Sequence, residues 1–201
     1  NPRLFLEQII YIANHAADRI LFADPACAEV VAQMLPQVPS IEQVIFLCAA
    51  ADLPQTNYAA VAFDEWIAGH GTDYAWGGFD ERAACGLCYT SGTTGNPKGV
   101  LYSHRSNYLH TLMTIAGDAM ALTPRECVLL VVPMYHANAW GVVYSAPAVG
   151  AKLVFSATND AAVLCDLFRD EMVTHSAGVP TVWLATFQHC DATGRDLPKL
   201  R

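Results

Sequence analysis

Short runs of β-branched and aromatic residues recur along this chain, each followed by a longer stretch of helical periodicity. Arg19-Ile-Leu-Phe-Ala23, Gln43-Val-Ile-Phe-Leu47, Cys127 to Val132, Lys152 to Phe155 and Thr174 to Gly178 are each long enough for one buried strand. Strands that lie parallel in one sheet need a crossover between them, and a helix is the usual crossover. Helices are predicted over Glu7 to His15 and over Cys27 to Leu35, the second stopped by Pro36 and Pro39. Others are expected from Ala59 to Ala68, ended by Gly69, and from an N-cap at Ser103 to about Ala121. Trp140 to Ala148, Ala161 to Met172 and a proline-started segment from Thr181 complete the set. Two more strands, Cys85 to Tyr89 and Val100 to Tyr102, enclose a polar loop, and residues 73–82 read as a loop. The rhythm predicts an α/β fold with mainly parallel sheets flanked by helices. There is no internal repeat and no low-complexity linker.

Composition narrows the function classes. With 53% hydrophobic and 15% charged residues the chain has the makings of a core and not of a disordered segment. Eleven Lys and Arg against 19 Asp and Glu give a net charge of -8, which argues against a general nucleic-acid binder. A nucleotide ligand is still compatible, because a few backbone amides and one Lys hold a phosphate locally. The apolar stretch from Val128 to Phe155 is interrupted by Pro133, His136, Asn138, Pro147 and Lys152, so no transmembrane segment is expected. The chain begins Asn1-Pro2 with neither Met nor signal peptide, which suggests a piece of something longer. Seven Cys (27, 48, 85, 88, 127, 165 and 190) form an odd set within largely apolar runs. They read as reduced thiols of a cytoplasmic protein. Cys85-Gly-Leu-Cys88 lacks the second pair that a structural zinc site needs and is read as part of a strand.

The densest chemistry lies in Tyr89-Thr-Ser-Gly-Thr-Thr-Gly-Asn-Pro-Lys-Gly-Val100. Gly92, Gly95 and Gly99 allow tight turns and close approach of backbone N–H groups to an anion. Thr90, Ser91, Thr93 and Thr94 offer hydroxyl donors, and Lys98 adds a charge-assisted contact. The set suits a polyphosphate. It is not a Walker A loop: Lys98 follows Pro97 where that loop has Gly, and Gly99 stands at the metal-binding Ser/Thr position. The second cluster, Pro133-Met-Tyr-His136-Ala-Asn-Ala-Trp140-Gly141, leaves the end of a buried strand, where open α/β sheets bind ligands.

These residues resemble a family. Tyr89 to Val100 is similar to the AMP-binding signature of the adenylate-forming enzymes, which include acyl-CoA synthetases, luciferases and peptide-synthetase adenylation domains. His136 with Trp140, together with Asn1-Pro-Arg-Leu-Phe5, Arg19 to Asp24 and Gly178-Val-Pro-Thr181, most resembles the medium- and long-chain fatty-acyl-CoA synthetases. The resemblance implies that Thr90, Ser91, Gly92, Thr93, Thr94, Gly95 and Lys98 bind the nucleotide, with Thr90 helping to hold Mg²⁺. It implies a catalytic role for Lys98, at the leaving pyrophosphate, and for His136, beside the reacting carboxylate and α-phosphate. Trp140 would gate the acyl tunnel, with plain core packing as its other reading. Ser103-His104-Arg105 resembles the helix entrance after the loop, whereas His15, His70, His110, His175 and His189 receive no ligand role.

The family pattern also starts before Asn1 and runs past Arg201. A Gly-Tyr-Gly-x-Thr-Glu adenine motif, a Thr-Gly-Asp ribose motif and a C-terminal domain are all missing here. Residues 1–201 are therefore expected to be a partial AMP-binding N-terminal domain, inactive in isolation. The implied activity of the full-length parent is an acid–thiol ligase using ATP, Mg²⁺ and coenzyme A to activate a fatty acid. The alternatives are an aryl- or amino-acid adenylating enzyme, or a noncatalytic nucleotide-binding or dimerising fragment. A homodimer and peripheral membrane contact stay open.

Overall fold

The computed structural model describes residues 1–90, 95–197 and 199–200. The chain forms two compact units, Asn1–Asp80 with Tyr89–Val100, and Glu81–Cys88 with Leu101–Arg201.

In the first unit α1 (Leu6–Ala16), β1 (Ile20–Ala23), α2 (Ala28–Met34), β2 (Gln43–Phe46), β3 (Val61–Ala62) and α3 (Phe63–Ala68) follow in order. The strands run parallel as β1-β2-β3, with Ile20 opposite Gln43 and Ile45 opposite Val61. Val44, Ile45 and Phe46 are buried, as expected of a central parallel strand covered on both faces. Ala13, Met34 and Val38 join Leu6, Ile9 and Ile10 to seal α1 and α2 together. The helix expected from Ala59 is shorter than its periodicity suggests. Val61 and Ala62 pair with β2 instead, so sheet pairing overrides a weak helical pattern and α3 starts only at Phe63.

β4 (Ala84–Thr90) and β5 (Lys98–Ser103) form a two-stranded sheet, and within these strands the chain passes from one unit to the other. Cys85 and Cys88 lie in β4, as the sequence predicts, and all seven cysteines are free. Cys127, Cys165 and Cys190 are buried, whereas Cys85 is exposed.

The second unit contains α4 (His104–Ile115), β6 (Cys127–Leu130), α5 (Ala137–Trp140), α6 (Val142–Val149), β7 (Lys152–Phe155), α7 (Ala161–Asp170), β8 (His175–Ala177) and α8 (Pro180–Thr193). Its sheet is parallel, in the order β7-β6-β8, with Val128 paired to both Leu153 and His175. Strand alternation sends Cys127, Leu129 and Val131 into one core with Val154, Leu164 and Phe168. Val128 goes to the opposite core with Leu122, Val142 and Ala146. β6 is thus buried on both faces, and Leu129 is 0% exposed.

Helix starts obey their caps. Ser103 Oγ accepts from Ser106 N at 3.1 Å while Ser106 Oγ accepts from Ser103 N at 3.0 Å. Asp160 Oδ1 accepts from Ala162 N and Val163 N to begin α7, and Pro180 opens α8. α4 stops at Ile115 and not at Ala121, because Gly117 and Asp118 are poor helix formers. Its buried residues are Thr111 and Thr114, whose hydroxyls bond to the carbonyls of Asn107 and His110 one turn earlier.

One buried group in α6 lacks a partner: Ser145 is 0% exposed and its Oγ makes no hydrogen bond. A buried unsatisfied hydroxyl costs about 1–3 kcal/mol, and Ala is also the better helix former. Ser145→Ala is therefore expected to raise stability by about 1 kcal/mol, read from the urea midpoint. A loss of stability would mean that the hydroxyl has a partner after all.

Candidate active site

Thr90 ends β4 and Lys98 opens β5, so the two sheet strands hold the ends of the glycine–hydroxyl loop. Thr90 Oγ1 donates to the Lys98 carbonyl at 3.5 Å, a long bond across the base of the loop. Gly95 has φ +98°, a conformation that side-chain-bearing residues rarely adopt. Pro97 is buried while Thr90, Gly95 and Lys98 are exposed, so an apolar foot anchors a polar loop. Ser91, Gly92, Thr93 and Thr94 lie outside the described residues. On the residue before Thr90, the Tyr89 hydroxyl lies 2.6 Å from His15 Nδ1.

His136 and Trp140 belong to the second unit, and there the structure brings them together. Both line an apolar cavity of about 250 Å³ with Val131, Val132, Pro133, Tyr135, Asn159, Gly178, Val179 and Val182. The cavity lies beyond the carboxyl ends of β6 and β8, where parallel sheets leave room for ligands. Gly178 packs close to the strand exit: a Cβ there would meet Val131 Cγ1 at 3.2 Å, a tight contact.

The helix expected to start at Trp140 starts instead at Val142. Ala137, Asn138, Ala139 and Trp140 all have φ between 46° and 55°, and Gly141 continues the left-handed path at φ 75°. Each non-glycine residue in that region costs roughly 1–2 kcal/mol, so the turn persists only because its surroundings dictate it. Three contacts do so. The Cys88 thiol donates to Asn138 Oδ1 at 3.1 Å. Ala139 is wholly buried. A Cβ on Gly141 would come within 2.6 Å of the His110 ring, so the glycine lets two elements close on each other. Trp140 is 41% exposed and lines the cavity.

The sequence gives no sign of the roles that several of these residues take. Asn159, Cys88, Asn138 and His110 matter through neighbours distant in sequence. Arg105, at the α4 entrance, pairs with Glu81 through both side chain and backbone. Among the described residues no group of three or more His, Cys, Asp or Glu could hold a metal ion.

The family model for "AMP-binding enzyme" matches residues 1–201. The chain belongs to the AMP-binding enzyme family. It is 43% identical to a medium-chain-fatty-acid–CoA ligase of Ectopseudomonas oleovorans over 189 residues, covering 91% of this chain and 34% of that protein. It is also 43% identical to a long-chain-fatty-acid–CoA ligase of Thermus thermophilus over 202 residues, covering 100% of this chain and 36% of that one. Among solved structures, the N-terminal domain of FACL13 from Mycobacterium tuberculosis superposes with a TM-score of 0.83. That match is 22% identical and covers 100% of this chain and 48% of the other. The AMP-binding chain thus spans about a third of the length of the curated relatives it matches. The α/β fold with parallel sheets expected from the sequence is the fold of that structural neighbour.

Trp140→Ala is expected to cost well under the ~3–5 kcal/mol of a buried tryptophan, because the ring is part-exposed at a cavity wall. Thermal melting checks this. A loss in the full buried-tryptophan range would show that Trp140 supports the core.

Proposed function

We propose that the full-length polypeptide containing this chain activates a fatty acid with ATP and transfers it to coenzyme A. The observation that carries the reading is the apolar cavity bearing His136 and Trp140, in a chain 43% identical to two fatty-acid–CoA ligases. An apolar cavity of that kind suits an alkyl chain better than an amino acid, whose charged ammonium would need a buried partner.

In this reading residues 90–98 wrap the β- and γ-phosphates. A carboxylate oxygen attacks the α-phosphorus, and the bond from that phosphorus to pyrophosphate breaks. Lys98 balances the charge gathering on the leaving group, and the exposed Thr90 hydroxyl helps orient it. His136 steadies the carboxylate at the cavity mouth. The thiol of coenzyme A, after losing its proton, then attacks the acyl carbon, and the bond to AMP breaks. The first step exchanges a phosphoanhydride of ATP for an acyl–phosphate mixed anhydride, and the second exchanges that mixed anhydride for a thioester.

A magnesium ion on the nucleotide would take only part of its coordination from this segment. Thr90 would offer one hydroxyl to an ion held mainly by phosphates and waters, and residues 90–98 include no Asp or Glu to serve as the carboxylate that Mg²⁺ usually takes. The ion supplies neutralisation of phosphate charge. Work in the cytoplasm agrees with seven free cysteines. Among the described residues no helix is long and apolar enough to cross a membrane.

Fatty-acid-dependent pyrophosphate exchange by the full-length polypeptide tests the reading. Lys98→Ala is expected to slow exchange by roughly one to two orders of magnitude, from ~1.5–3 kcal/mol of lost phosphate interaction. A rate within a factor of two of the parent removes Lys98 from the reaction. Trp140→Ala is expected to shift selectivity toward bulkier or longer acids, measured over a panel of chain lengths. An unchanged panel would mean that Trp140 does not border the acyl chain.

A further inference from the structure

The base of the loop is tied to the end of α1. Tyr89, immediately before Thr90, points its hydroxyl at His15 Nδ1, 2.6 Å away, and the two rings meet edge to face with centroids 5.8 Å apart. Tyr11, one helical turn before His15, stacks on the imidazole at 5.5 Å and 28°. The helix end is itself fixed: Asn14 Nδ2 donates to the Gln37 carbonyl at 2.9 Å and to the Ile10 carbonyl at 3.0 Å. Ala17, in the left-handed region at φ 54°, closes α1 by donating its N–H to the Ala13 and Asn14 carbonyls.

All of these groups lie in the first unit, as do Thr90, Gly95 and Lys98. Burial, with negative charge from Asp18 and Tyr11 adding to it, pushes the Tyr89 phenol above its ordinary pKa, so it keeps its hydrogen. The phenol oxygen and Nδ1 share one hydrogen bond, and which of the two donates follows the imidazole tautomer. Neighbouring strand residues point to opposite faces. Fixing the Tyr89 ring on one face therefore sets the direction of the Thr90 hydroxyl on the other.

We propose, resting on the reading of residues 90–98 as the ATP phosphate loop, that His15 is a positioning residue for adenylation, holding Tyr89 and through it the Thr90 end of the loop. His15 touches neither substrate nor reacting atoms. Its removal loosens the grip on the polyphosphate and leaves the acyl cavity of the second unit alone.

The test is fatty-acid-dependent pyrophosphate exchange by the full-length polypeptide, with ATP and the acid varied separately. His15→Ala is expected to raise KM for ATP about five- to tenfold while KM for the acid stays within twofold. Tyr89→Phe, which deletes a single oxygen, should do the same, and the double variant should be no worse than either single one. His15→Asn, which keeps a polar atom near the Nδ1 position, should return KM for ATP to within threefold of the parent. Lys98→Ala is run alongside. If Lys98→Ala slows exchange but His15→Ala and Tyr89→Phe leave KM for ATP within twofold, the role of His15 is refuted and the loop reading stands. If Lys98→Ala also has no effect, the loop reading itself falls and takes the role of His15 with it. Equal rises in both KM values, or a double variant equal to the product of the singles, would show general loosening and overturn the proposal. Should His15→Ala fail to fold, Tyr89→Phe and His15→Asn interrogate the same bond.

Discussion

Burial of β6 on both faces is the constraint on which the second unit depends. Leu129 and Val128 point into separate cores, one closed by α7 and the other by α6. A strand so placed cannot slip by one residue without exchanging the occupants of the two cores. That fixes the register with β7 and β8, and it fixes where Val131, Val132 and Pro133 emerge. The cavity is built from this emergence. Its walls are the residues that follow β6 and β8, the turn carrying Tyr135, His136 and Trp140, Asn159 and the start of α8.

Beyond β6 the backbone is strained. A four-residue left-handed path has no local justification in Ala137-Asn-Ala-Trp140, and an isolated peptide of that sequence would not adopt it. The surrounding contacts impose it: a thiol on β4, a buried Ala139 and a glycine against an imidazole. Strain of this kind concentrates where a side chain must be aimed, and here it aims the backbone that carries His136 and Trp140. The loop of residues 90–98 is anchored by different means, through strand ends, a buried Pro97 and the His15–Tyr89 pair.

The sequence was legible where one force dominates. The strands of the parallel sheets are nearly continuous apolar runs, and the alternation alone picks them out along the chain. Ser103 is the N-cap that its position before a helical run predicts. Legibility failed where tertiary contact outweighs local preference. Val61 and Ala62 joined a sheet that a linear reading does not display. Trp140 left the helix for a conformation dictated by residues on other elements. α4 buries threonines and exposes Tyr108 and Met113, the reverse of the usual amphipathic pattern, so periodicity does not mark its face. His15, set aside for want of a partner at metal-ligand spacing, found its partner in Tyr89, far along the chain. Spacing along the chain cannot reveal such a pair.

The central claim is that a carboxylate attacks the α-phosphorus of ATP, and oxygen tracing reports on it directly. A fatty acid carrying ¹⁸O in both carboxyl oxygens is incubated with ATP, Mg²⁺, coenzyme A and the full-length polypeptide, and the products are weighed by mass spectrometry. The account predicts one ¹⁸O in the phosphate of AMP and one in the thioester carbonyl. Label in inorganic phosphate accompanied by ADP would place the attack at the γ-phosphorus and contradict it.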